Sequence, residues 1–96
     1  MSASAPNRVV RRVEITNKNG LHARAARLVL EAAGPFDAEI TVTKDDQTVN
    51  GRSILGLMML AAGPRSIIEV AADGPDAQAA VDAIVALVEA RFNEDA

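Results

Sequence analysis

The chain has 96 residues, the size of a single domain, and a net charge of −3. With no cysteine it forms no disulfide, thiolate nucleophile, iron–sulfur cluster or cysteine-ligated zinc, and its single histidine, His22, leaves no histidine pair for a metal. Two aromatics, Phe36 and Phe92, make no platform for stacked bases, and the acidic balance opposes a nucleic-acid partner. Neither a cofactor nor a metal is expected. The apolar fraction of 49% includes 19 alanines, which points to helices packed through small side chains.

Residues 1–8 read as a flexible tail, residues 9–92 as the domain, and residues 93–96 as a polar, acidic tail. The opening MSASAPN has no basic segment followed by an apolar one, and no apolar run approaches a membrane span. A cytoplasmic protein is therefore expected, with no membrane partner. Residues 9–16 predict a strand with Val9, Val13 and Ile15 on one face and Arg11 as the exception. Asn17-Lys18-Asn19-Gly20 is turn chemistry. A helix follows over residues 22–33, with Ala25, Leu28, Val29 and Ala32 at helical spacing. Gly34-Pro35 ends it, with Gly34 suited to a left-handed cap.

Residues 38–43 alternate, with Ala38, Ile40 and Val42 inward. A turn at Lys44-Asp45-Asp46 and a short strand around Thr48-Val49 complete a hairpin. Residues 53–62 predict a short helix closed by Gly63-Pro64. Residues 67–72 predict a strand with Ile68, Val70 and Ala72 on one face. Gly74-Pro75-Asp76 opens the last helix, with Pro75 in its first turn. Its stripe is Ala77, Ala80, Val81, Ile84, Leu87 and Val88. The order βαββαβα, with strands apolar on one face only, predicts an α+β open-faced sandwich. Three helices should cover one face of a four-stranded, mostly antiparallel sheet.

The stretch Asn19-Gly20-Leu21-His22-Ala23-Arg24 sets the one histidine where a turn enters a helix. The first N–H groups of a helix have no partner within it, and with the macrodipole they form an anion site. A neutral imidazole nitrogen there can act as a nucleophile, and Arg24 can give a charge-assisted bond to a phosphoryl group. A lone histidine at a helix start also has a plain reading, as a residue without a role.

Gly20-Leu21-His22-Ala23-Arg24 resembles the active-site motif of the HPr family, phosphocarriers of the bacterial phosphotransferase system. The resemblance runs from about Val9 to Phe92. It includes the element order, the serine-led motif at residues 50–56 (NGRSILG), and the Gly74-Pro75 opening of the last helix. The stretches VEITNK, FDAE and IEVAADGP are most similar to the nitrogen-related branch, NPr. The resemblance implies that His22 takes phosphate on its δ nitrogen from an enzyme I-type donor charged by phosphoenolpyruvate. His22 would then pass it to an enzyme IIA-type acceptor of the sugar or nitrogen-related phosphotransferase system, with Arg24 as the charged partner and Asn19 orienting the ring. The family usually carries proline after the arginine; here Ala25 stands there, leaving the first turn less preset.

The second helix carries no charged residue from Ile54 to Ala62. Leu57, Leu60 and Ala61 form one stripe, expected in the core, so Ile54, Leu55 and Met58 are left for a docking patch made adaptable by methionine. Ser53 is an N-cap by residue type. The resemblance adds a second role, as a serine phosphorylated by an HPr kinase/phosphorylase. A phosphocarrier without turnover of its own, and a monomer, is the expectation. The rival is a regulatory binding module whose partner affinity phosphorylation switches. An RNA-binding KH-like domain is excluded because no two glycines stand three apart.

Overall fold

The computed structural model describes residues 7–95; residues 1–6 of the expected tail, and Ala96, lie outside the described residues. Four strands form one sheet: β1 (Arg8–Glu14), β2 (Glu39–Lys44), β3 (Gln47–Asn50) and β4 (Ile67–Asp73). Their spatial order is β1-β4-β2-β3, and every pair is antiparallel. The last strand thus inserts between the first two, with Val10 and Thr41 both opposite Ala71. Three helices, α1 (Ala23–Ala33), α2 (Ile54–Met59) and α3 (Ala77–Glu89), complete the expected βαββαβα open-faced sandwich.

The strands alternate because only one face is covered. Ile40 and Val42 of β2 and Ile68, Val70 and Ala72 of β4 are buried, while Glu39 is exposed and Thr41 and Glu69 are partly so. Helix α3 packs over β1 and β4 and against α1, and α1 meets α2. Their buried faces are alanine-rich: Ala25, Ala26 and Ala33 from α1, and Ala77 and Ala80 from α3. Small side chains let the two helices approach each other closely above the sheet.

Several boundaries differ from the sequence reading. Arg8 belongs to β1 rather than to a tail, and its guanidinium pairs with Asp73 across the sheet at 2.6 Å. Gly34 is right-handed (φ −52°, ψ −48°), so α1 ends by a continued turn, helped by Arg52. The Arg52 guanidinium donates to the carbonyls of Ala33, Phe36 and Ala38 at 2.8 Å each. Helix α2 stops at Met59, ahead of Gly63-Pro64, because Ala61 takes a left-handed φ of 51°. That rotation exposes Ala61 and buries Ala62 in its place. In α3, Val85 rather than Leu87 completes the buried stripe, and Pro75 lies just before the helix.

Candidate functional site

Three chain segments meet at one corner of the sandwich. Beyond β1 the chain turns through Asn17–Gly20 into α1. Gly20 has φ +63°, and a side chain there would collide with the backbone of Ala62 and Gly63. The turn is joined to the end of α2 by the Leu21 N–H donating to Ala62 O at 2.8 Å. His22 follows as the N-cap of α1, in extended conformation (φ −79°, ψ −179°). Its side chain is 30% exposed.

Both ring nitrogens have partners. The Arg24 backbone N–H donates to Nδ1 at 3.2 Å, as a capping side chain requires. Nε2 lies 2.5 Å from Glu94 Oε2. Glu94 is brought there by a left-handed turn after α3, where Arg91, Phe92 and Asn93 have φ of 57°, 53° and 63°. Phe92 is fully buried beneath that turn. Asn17, also fully buried, donates from Nδ2 to Gly20 O at 2.9 Å and to Glu94 Oε1 at 3.1 Å. Its Oδ1 is buried without a partner among the described residues.

The hydrogen bond from His22 is the main reason the Glu94 carboxyl lies below the ordinary carboxylate range. The bond from Asn17 lowers it further, burial opposes both, and the fields of His22 and Arg24 reinforce the lowering. At neutral pH the carboxylate is therefore ionised and can only accept. The proton between Glu94 and the ring then belongs to Nε2, and Nδ1 is left with a lone pair at the positive end of α1. Arg24 is exposed on the first turn beside it. Asn19 is exposed in the turn, and the ring's hydrogen bonds among the described residues are with Arg24 and Glu94. Sequence pattern marks neither Asn17, one residue of a polar turn, nor Glu94, one residue of an acidic stretch, as part of the site. Among the described residues no cluster of three or more His, Asp or Glu is placed to hold a metal ion. None of their helices is long and apolar enough to cross a membrane.

The family model for the PTS HPr component phosphorylation site matches residues 9–90. The chain belongs to the HPr family. The phosphocarrier protein HPr of Neisseria meningitidis is 48% identical over 82 residues, covering 85% of this chain and 92% of its own. The phosphocarrier protein NPr of Shewanella violacea is 49% identical over 84 residues, covering 88% and 92%. The crystal structure of HPr-C-His from Thermoanaerobacter tengcongensis superposes with a TM-score of 0.87 at 39% identity, covering 92% of this chain and 99% of that one. This chain is an HPr/NPr-type phosphocarrier of the phosphotransferase system.

Around the HPr histidine motif, α2 presents the apolar surface. Leu55 is 69% exposed, Met59 62% and Met58 42%, whereas Ile54 is half-buried and packed against the core. The free patch is therefore Leu55, Met58 and Met59, with Ile54 at its base. Ser53 caps the helix, its Oγ accepting from the Gly56 N–H at 2.9 Å. It is itself half-buried beside the patch. Ala25 occupies the third position of α1 and is fully buried.

Proposed function

We propose that His22 accepts phosphate at Nδ1 from an enzyme I-type donor charged by phosphoenolpyruvate and hands it to an enzyme IIA-type acceptor. The observation that carries this is the ring's bonding: Nδ1 accepts from the Arg24 N–H in the first turn of α1, while Nε2 keeps its proton and donates a hydrogen bond to the Glu94 carboxylate. The Nδ1 pair attacks phosphorus, a new N–P bond forms, and the donor's bond to phosphorus breaks with its electron pair returning to the donor. No proton has to leave the ring, because the attacking nitrogen carries none. The phosphoryl oxygens then lie at the helix N-terminus, with the Arg24 guanidinium free to fork onto them. The exposed Leu55, Met58 and Met59 provide an apolar contact for donor and acceptor in turn. The acceptor belongs to the sugar or the nitrogen-related branch, and the likeness of residues 13–18 (VEITNK) to NPr leans to the latter.

Incubation with phosphoenolpyruvate and enzyme I tests this. The wild-type chain is expected to take up one phosphate in an acid-labile, alkali-stable linkage. His22→Ala should take up none and keep its fold, since an N-cap ring 30% exposed is not part of the core. Full labelling of His22→Ala, or an acid-stable adduct on the wild type, would overturn the assignment.

A further inference from the structure

An imidazole offers two nitrogens to an incoming phosphoryl group, and nothing in the residue itself restricts the reaction to one. Resting on the reading of His22 as the phosphorylated residue, we propose that Glu94, clamped by Asn17, is a positioning residue. It holds the ring as the Nε2–H tautomer and so commits phosphorylation to Nδ1.

Three observations converge on this. The first is the ring's own bonding: Nε2 is 2.5 Å from a carboxylate oxygen, and Nδ1 faces a backbone N–H. A carboxylate accepts and an amide N–H donates, so the two contacts admit only one neutral tautomer. As the N–P bond forms, positive charge spreads through the ring, and a carboxylate on the far nitrogen stabilises it. This is the role a buried aspartate plays behind a catalytic histidine.

The second is the fixing of the carboxylate. Asn17 Nδ2 holds Oε1 while His22 holds Oε2, so the group cannot rotate without losing a bond. The same Nδ2 bonds Gly20 O, two residues before the histidine. One buried amide thus sets the distance between the turn that carries the ring and the carboxylate that orients it.

The third is the backbone that delivers Glu94 from 72 residues away. Three successive non-glycine residues are left-handed, a conformation that L side chains disfavour at each position. A polar tail in solvent would have no reason to keep it. Here the turn is pinned by Phe92 at zero exposure and by two short-range bonds, Asn93 N–H to Ala90 O and Glu94 N–H to Arg91 O, both 3.0 Å. Its outcome is to bring the chain back over His22.

The test compares the wild-type chain with Glu94→Gln and Glu94→Ala. Each is phosphorylated by enzyme I and, separately, by phosphoramidate, which needs no protein docking. Phosphorus NMR distinguishes Nδ1- from Nε2-phosphohistidine, and nitrogen NMR of the unphosphorylated ring reports its tautomer. The wild type should show the Nε2–H tautomer and phosphate on Nδ1 alone. Glu94→Ala should show mixed tautomers and part of the phosphoramidate-derived phosphate on Nε2. Its Nδ1 phosphorylation should slow about tenfold to a hundredfold, the range found when the outer partner of a metal-bound imidazole is removed. Glu94→Gln keeps the shape and loses the charge, so it carries the test even if the alanine variant disturbs the last turn, and it should fall between the two. An unchanged tautomer, an unchanged site and an unchanged rate in both variants would overturn the proposal alone. A wild-type chain that takes no phosphate at His22 would instead strike the functional reading itself.

Discussion

Gly20→Ala probes how closely the histidine's turn is tied to the end of α2. An added Cβ would sit 2.3 Å from Ala62 O and 2.7 Å from Gly63 Cα, both backbone atoms that cannot swing aside. The φ of +63° adds left-handed strain of roughly 1–2 kcal/mol for an L residue. To relieve the clash the turn must lift away, breaking the 2.8 Å bond from Leu21 N–H to Ala62 O. Leu21 and Ala62 are both buried, so their backbone groups would be left unpaired at about 1–3 kcal/mol. Together these make about 2–5 kcal/mol. For a domain of this length that lowers Tm by roughly 8–40 °C. Gly63→Ala is the control, because an added Cβ there meets no atom within 4 Å. It should change stability by less than about 0.5 kcal/mol. Thermal and urea unfolding followed by circular dichroism would measure both. A Gly20→Ala protein as stable as Gly63→Ala would refute the account of the turn.

Arg24→Lys keeps the charge but loses the planar fork, so stopped-flow phosphorylation should slow more than calorimetric affinity for enzyme I falls; two unchanged values would make Arg24 a bystander. Leu55→Glu should weaken enzyme I binding by roughly 1–3 kcal/mol while Tm holds, whereas Ile54→Glu, set against the core, should lose stability as well. Ser53→Ala removes the bond to the Gly56 N–H and should cost about 1 kcal/mol in urea unfolding, yet leave His22 able to take phosphate. Ser53→Asp keeps an N-cap and adds charge at the edge of the apolar patch, so it should slow phosphorylation by enzyme I. The Glu94 carboxyl lies below its ordinary value of 4.5, so its extra stability over Glu94→Gln should be fully present above that pH. It should disappear as pH falls through the lower, folded-state value; a difference that grew on acidification would contradict the hydrogen-bonding scheme.

Much of this architecture could be read from residue pattern. Ile40 and Val42 alternate with Glu39 and Thr41, and that period of two marks a sheet with one dry face. Gly20-Leu21-His22-Ala23-Arg24 placed the histidine at a helix start, where the structure has it. Less legible were features that depend on left-handed residues other than glycine. Ala61 is a strong helix former by type, yet its φ of 51° ends α2 early and reverses which neighbour is buried. Arg91, Phe92 and Asn93 carry no glycine to announce a reversal, so Glu94 read as solvated tail. The available signal was Phe92, one of two aromatics and a large apolar side chain that favours burial over solvent. Asn17 was hidden within a run that any turn would explain. In the fold its burial and its bonds to Gly20 O and to Glu94, 77 residues away in sequence, distinguish it from the exposed Asn19.

The most direct test of the carrier reading is a transfer measurement. The chain would be labelled at His22 with radioactive phosphate, freed of enzyme I and phosphoenolpyruvate, and mixed with a panel of enzyme IIA-type proteins. A carrier should lose its label within seconds to one or more acceptors, with an equal amount appearing on the acceptor and none as inorganic phosphate. The acceptor that takes it would also identify the branch. Label that stays on His22 while phosphorylation merely alters the affinity for a partner would contradict the relay and establish a regulatory binding module instead.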